Sequence, residues 1–210
     1  METNNTNETV GRIFLKLEER PAHARELARK TGFSHTFVNR ILSNQYKKGY
    51  LTREKFGKSI VYSINQSLIS AQLLSMAQKE RFVRLLEKDK EFRIIMEELL
   101  ENISGFLEHI DCIILFGSYV SQTYGKDSDI DLFFLASEEK DNLRKQVNQV
   151  EEVYGKEINI KVSSLESFQK GQYAPLHAEV LKGIPVYNAD LFYQLKWKKD
   201  ISAGSRKKEK

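Results

Sequence analysis

The run Ile113-Ile114-Leu115-Phe116 stops abruptly at Gly117-Ser118, and ten residues later the chain reads Asp129-Ile130-Asp131-Leu132-Phe133-Phe134. Consecutive bulky apolar residues ahead of a glycine read as a buried strand that ends in a turn. In the second run the two aspartates alternate with Ile130 and Leu132, so both carboxylates fall on one face of a strand, roughly 6.5 Å apart along it. That spacing suits joint possession of one or two hard divalent cations, as metal-assisted phosphoryl transfer requires. Gly117 lets a phosphate come close to the backbone, and Ser118 can offer a hydroxyl and an amide from a helix start. An isolated Asp-x-Asp is most often a solvated strand end, and an isolated Gly-Ser carries less still. The conjunction at this spacing carries the weight.

The conjunction resembles the signature of the DNA polymerase beta-like nucleotidyltransferase superfamily in its minimal branch: Gly-Ser, ten residues, Asp-x-Asp. The resemblance implies that Asp129 and Asp131 are the catalytic carboxylates and hold Mg²⁺ or Mn²⁺. It also implies that Gly117 and Ser118 grip the β- and γ-phosphates of ATP or another NTP. The activity implied is transfer of a nucleoside monophosphate, AMP first among them, to a hydroxyl on a protein or small molecule. The family usually adds a third carboxylate from the following strand. The position that aligns by strand pattern is Asn159, whose amide oxygen can meet a cation but cannot take a proton. Glu157, two residues earlier, is the nearby substitute. Minimal members also commonly carry a basic residue and a glycine after Gly-Ser, and Tyr119–Tyr124 contains neither. Phosphate binding then rests on backbone amides, Ser118 and Lys126. Within the superfamily the chain is similar to minimal antitoxins that transfer AMP onto a HEPN-type toxin, which would make such a toxin a partner.

Charge divides the chain further. Residues 1–88 hold 16 Lys and Arg against 8 Asp and Glu, whereas residues 89–195 hold 10 against 19, and residues 196–210 hold 7 against 2. A basic first module facing a polyanion, joined to an acidic remainder, is the expectation. No apolar stretch approaches the roughly 18 residues of a membrane span. The polar, acidic opening Met-Glu-Thr-Asn-Asn fits no targeting signal, so a cytoplasmic protein is expected. Cys112, the single cysteine, reads as a buried inert thiol, and the histidines at 23, 35, 109 and 177 show no zinc-site spacing.

The first module reads as a winged helix-turn-helix over residues 8–65. Val10, Ile13, Phe14 and Leu17 mark an opening helix; Pro21 precedes a second, about His23 to Lys30; Ser34 caps a third, His35 to about Lys48. Leu51–Phe56 and Ser59–Ile64 flank Gly57-Lys58 as a hairpin. In the third helix Val38, Ile41 and Leu42 are expected to face the core, leaving His35, Thr36, Asn39, Arg40 and Ser43 for the DNA major groove. Lys55 and Lys58 would reach phosphate from the wing. Many such modules bind only protein, and the local excess of positive charge argues for DNA.

Residues 66–88 read as a helical linker, striped by Leu68, Leu73, Leu74, Phe82, Leu85 and Leu86, that connects modules or forms a homodimer. A second stripe is Phe92, Ile95, Met96, Leu99 and Leu100. Residues 89–195 are the expected nucleotidyltransferase domain: strand 110–116, short helix 118–124, strand 130–136, helix 140–154, strand 157–162, then a helix ending at Gly183 and a short strand. Residues 196–210 read as a basic disordered tail. The fold class is therefore α+β. Beside the enzyme stands an alternative, a DNA-binding transcriptional regulator with a degenerate, nucleotide-sensing domain. A third candidate, an aminoglycoside-type small-molecule nucleotidyltransferase, lacks the extra cleft carboxylates.

Overall fold

The computed structural model describes residues 6–137, 140–171 and 174–205. The chain divides into two compact units, Met1–Glu80 and Arg81–Lys210. Each mixes helices with one small sheet, an α+β architecture.

The first unit opens with α1 (Thr6–Glu19), β1 (Ala22–His23), α2 (Ala24–Thr31) and α3 (His35–Lys47). β2 (Leu51–Phe56), β3 (Ser59–Ile64) and the start of α4 (Leu68–Lys88) complete it. Its core is the set of apolar positions that recur at helical spacing: Ile13, Phe14 and Leu17 of α1, Leu27 of α2, and Val38, Ile41 and Leu42 of α3, all buried. α2 stops because Gly32 takes the left-handed region (φ +77°) and returns its N–H to Ala28 O at 3.0 Å. α3 starts where Ser34 Oγ accepts Phe37 N–H at 3.3 Å. β2 and β3 pair antiparallel from Leu51↔Ile64 to Phe56↔Ser59 around Gly57, whose φ is +60°. β1 escapes a periodicity reading because two residues carry no period; it pairs with β3 through Ala22↔Tyr62 and His23↔Val61. Along α4 the expected stripe shifts: Leu68 is 73% exposed, while Ser70, Ala71, Leu74, Ala77 and Gln78 are buried.

In the second unit Asp89 Oδ1 accepts Phe92 N–H at 3.0 Å and so starts α5 (Lys90–Asn102) one residue after α4. A 3₁₀ turn (Ser104–His109) leads to β4 (Ile110–Phe116), α6 (Ser118–Ser121), β5 (Ile130–Ala136), α7 (Lys140–Tyr154) and β6 (Ile158–Ser163). α8 (Leu165–Lys170), α9 (Ala174–Val180), β7 (Ile184–Tyr187) and α10 (Ala189–Ser205) follow. α6 is shorter than the helix expected over 118–124, because Gln122 turns left-handed (φ 58°). α10 runs into the segment expected as a tail, of which residues 206–210 lie outside the described residues.

The sheet order is β6-β5-β4-β7. β5 and β6 are parallel, which requires the crossover that α7 supplies; the other pairs are antiparallel. Period-2 alternation then splits the sheet. Ile113, Leu115, Ile130, Leu132, Phe134 and Ile158 join Phe92, Ile95, Met96 and Leu99 of α5 and Leu143, Val147 and Val150 of α7 in one buried cluster. On the other face Phe133 meets Phe168 of α8 edge-on at 5.4 Å, and Phe168 lies 4.0 Å from the His177 ring of α9. Cys112 is buried on that second face and its thiol donates to Tyr187 O at 3.1 Å; burial first, then Asp111, pushes the thiol up to about 12, far from reactive.

Gly183 marks a tight seam between backbones. A Cβ there would stand 2.4 Å from Leu115 O and 2.8 Å from Val180 O, both rigid backbone atoms. Gly183→Ala is therefore expected to lower unfolding free energy by about 1–3 kcal/mol, read as a reduced urea midpoint at unchanged slope. An unchanged midpoint would mean that β7 can slide off β4 at no cost.

Candidate functional site

The end of β4 and the start of β5 meet because their antiparallel register sets Phe116 opposite Asp131. The residue after Phe116 must then turn away sharply. Gly117 does so at φ 72°, ψ −145°, a conformation that side-chain-bearing residues rarely adopt. A second constraint acts at the same atom: a Cβ on Gly117 would lie 2.1 Å from Asp131 Oδ2 and 2.9 Å from its Cγ. Glycine at 117 and aspartate at 131 are therefore sterically coupled. Ser118, half-buried, begins α6 directly beside them.

The parallel pairing of β5 with β6 sets Asp131 beside Asn159. Asn159 Nδ2 donates to Asp131 Oδ1 at 3.2 Å. Asp131 is thus hemmed on one oxygen by the Gly117 backbone and bonded on the other by an amide. Its carboxyl is held above the usual carboxylate range: burial raises it most, the Asn159 bond opposes, Asp129 and Glu179 raise it further, and Lys161 lowers it. Asp129, half-buried, immediately precedes β5. Glu157 lies outside β6 and is exposed, its carbonyl accepting Ile130 N–H at 3.0 Å.

The loop that closes the ten-residue gap is tied at several points. Thr123 N–H donates to Ser118 O at 3.1 Å, Gly125 N–H to Ser128 Oγ at 2.9 Å, and Ser128 N–H back to Gly125 O at 3.2 Å. The Tyr119 and Tyr124 rings stack 4.2 Å apart at 10°, and Tyr119 stacks in turn on Phe92. Lys156, almost buried, donates Nζ to Lys126 O at 2.7 Å. A lysine inside the protein is costly, and its bond to the carbonyl holds the loop that delivers Asp129. Lys126 itself stays exposed.

Gly117, Ser118, Asp129, Asp131 and Asn159 thus converge on one end of the sheet. Glu179 and Lys161 are charges near Asp131 that the sequence reading missed. Lys161 was findable, two residues beyond Asn159 on the same strand face; Glu179 arrives through packing of α9 alone. The DNA-facing candidates belong to the first unit, where His35, Thr36, Asn39, Arg40, Lys55 and Lys58 are exposed and Ser43 is half-buried.

Among the described residues no three His, Cys, Asp or Glu side chains group as a metal cage. The donor set still suits Mg²⁺, which commonly binds through one or two carboxylates together with substrate phosphates. The like charge that raises Asp131 is what a divalent cation would relieve. Asp129 and Asp131 would hold the ion, with the Asn159 amide oxygen as a neutral neighbour.

Linkage gives the sign of a stability test. A carboxyl raised in the folded state binds its proton more tightly there than in the unfolded chain, so stability falls as pH rises through the folded value. The penalty is complete above the folded value and absent below the unfolded one. Asp131→Asn is expected to be more stable than wild type at neutral pH without metal, and equal to it in acid, by urea unfolding at both. A less stable variant at neutral pH would make Asp131 a structural acceptor for Asn159.

Residues 97–191 match the family described as Polymerase beta, Nucleotidyltransferase. Among solved structures, the one described as "Crystal structure of the toxin-antitoxin with AMP-PNP" is similar over 53% of this chain and 91% of its own, at 17% identity and a TM-score of 0.39. No curated protein matches. Gly117, Ser118, Asp129, Asp131 and Asn159 all lie within the matched nucleotidyltransferase segment.

Proposed function

We propose that the second unit is a metal-dependent nucleotidyltransferase that moves a nucleoside monophosphate, AMP from ATP in the first instance, to a hydroxyl on a protein or small molecule. The observation that carries this reading is the junction at which Gly117 closes on Asp131, inside a segment that matches the nucleotidyltransferase family. Gly117 and Ser118 bind the β- and γ-phosphates, and the tied loop holds Asp129 in place. Asp129 and Asp131 hold Mg²⁺ or Mn²⁺, which when bound offsets triphosphate charge. Asn159 fixes the orientation of Asp131 and takes no proton. The acceptor hydroxyl must therefore lose its proton to another carboxylate or to water.

Labelled ATP, Mg²⁺ and candidate acceptors, a HEPN-type toxin first, test the reading. Label transfer that survives replacement of Asp129 and Asp131 by Asn would overturn it. Asn159→Asp is the sharper variant, since it returns a charged proton acceptor to the position beside Asp131. It is expected to raise turnover at least about tenfold, a change that needs about 1.4 kcal/mol of barrier. Unchanged turnover and unchanged Mg²⁺ affinity would show that a carboxylate here is not what limits the site.

The Asn159–Asp131 bond favours a second reading. A site that orients a carboxylate but, among the described residues, groups no third one with the pair as a metal ligand fits a nucleotide sensor attached to a DNA-binding module. Both readings share a winged helix-turn-helix in the first unit. It is supported by the order helix, short strand, helix, helix, hairpin and by the exposed polar face of α3. If α3 reads the major groove, Arg40→Ala is expected to cost roughly 1–3 kcal/mol at a specific site and relax preference at one base. Lys58→Ala is expected to weaken all sequences alike and reduce the salt slope by about one. Identical salt slopes and preferences for the two variants, measured by anisotropy, would remove α3 as the reader.

A further inference from the structure

The hairpin of the first unit ends in a side chain that the fold does not use. Phe56 is 61% exposed, and among the described residues no other Phe, Tyr or Trp is in the exposed class. Register explains why it is outside. Arg53 pairs with buried Tyr62 and Lys55 with Ile60, so those positions share the side of the hairpin that carries Tyr62. Alternation sends Phe56, with its partner Ser59, to the opposite side. Phe56 is the last strand residue before the Gly57-Lys58 turn, so it projects at the tip.

The chemistry around it is cationic. From residue 47 to 58 the chain carries Lys47, Lys48, Arg53, Lys55 and Lys58 against a single acid, Glu54. Lys55 and Lys58 are exposed on either side of Phe56. Glu54 shares the face of Phe56 but stands two residues, roughly 6.5 Å, back toward the hairpin base. A polyanion would therefore be drawn to the tip rather than along that face. Two strands lie about 4.8 Å apart, and the minor groove of duplex DNA is about 6 Å wide, so a hairpin tip with glycine at its turn is slender enough to enter.

We infer that Phe56 is an apolar wedge that the hairpin presses between base pairs from the minor groove, while Lys55 and Lys58 hold the flanking phosphates. The inference rests on the DNA-binding reading of the first unit, and it assigns the wing a part in deforming the duplex beyond phosphate attachment. Pyrimidine–purine steps, which unstack most easily, would be the preferred seat.

The test uses the full chain and a mixed-sequence duplex with 2-aminopurine at a central TA step, at low salt. Wild type is expected to bind and to raise 2-aminopurine fluorescence as the base unstacks. Phe56→Ala is expected to bind about tenfold more weakly, without the fluorescence rise, and with an unchanged salt slope, since no phosphate contact is lost. Phe56→Leu, which keeps an apolar wedge, is expected to retain most of the rise. Urea midpoints equal to wild type exclude a folding defect. Equal affinity and equal fluorescence for Phe56→Ala would sink the wedge and leave DNA binding standing. Absence of any duplex binding by wild type would sink both.

Discussion

The contact between Gly117 and Asp131 is the constraint from which the second unit follows. The start of β5 is brought against the end of β4, and the Asp131 carboxylate occupies the space where any larger residue at 117 would put its first side-chain carbon. The backbone must leave β4 at a positive φ to pass that carboxylate, which aims Ser118 and α6 across the sheet end. The chain then needs a loop long enough to come back, and every tie within it, from the Gly125–Ser128 turn to the Lys156 bond, shortens the set of conformations it can take. Neither residue can change shape alone. An aspartate elsewhere on β5 would leave Gly117 as a costly flexible joint, and a bulkier residue at 117 would push Asp131 away from Asn159.

Electrostatics decides what that junction is suited for. Two like unit charges about 6.5 Å apart, the two-residue strand spacing, repel by about 2.5 kcal/mol at an effective dielectric constant near 20. Burial raises the proton affinity of Asp131 most, and Asp129 and Glu179 raise it further. A third carboxylate at 159 would add to it in the absence of metal. Asn159 instead donates a hydrogen bond to the ionised form, so the empty junction is easier to fold and a bound cation is rewarded less. On the proposed reading, an amide at 159 would trade affinity for metal against stability without it. That trade suits a site loaded by a metal–nucleotide complex, whose phosphates supply the missing negative ligands.

Sequence made the strand ends legible because both aspartates and Asn159 alternate with apolar residues and Gly117 closes an unbroken apolar run, both local rules. The register of β5 on β6 then follows from matching apolar frames, Ile130-Asp131-Leu132 beside Ile158-Asn159-Ile160. The hairpin of the first unit was readable for a similar reason, a two-residue glycine turn between β-rich runs. What escaped was tertiary. β1 exists only because β3 offers it an edge, Leu68 is exposed because the stripe on α4 that packs is the one through Ala71, Leu74 and Gln78, and Glu179 reaches Asp131 only once α9 lies on the sheet. Lys156 is the extreme case. Beside a glycine and a glutamate it reads as a solvated turn lysine, and nothing local announces that its ammonium is enclosed against Lys126 O.

Charge along the chain sharpens the division of labour. Residues 1–88 carry a net +8 and residues 89–195 a net −9. A polyphosphate meets the excess acids of residues 89–195 only within about 8 Å at physiological ionic strength, and the basic residues 81–88 and 196–210 of the same unit bring its net charge to −2. A bare NTP would meet that field with its full charge, whereas one complexed with a divalent cation brings two fewer negative charges. On the proposed reading, acidic surroundings of the carboxylate junction would favour a metal-bound nucleotide over a bare one. The basic first unit has the opposite bias, with its excess cations on exposed faces such as α3 and the hairpin. On the proposed reading, opposite charge biases in the two segments would help to separate recognition of a polymer from recognition of a single nucleotide.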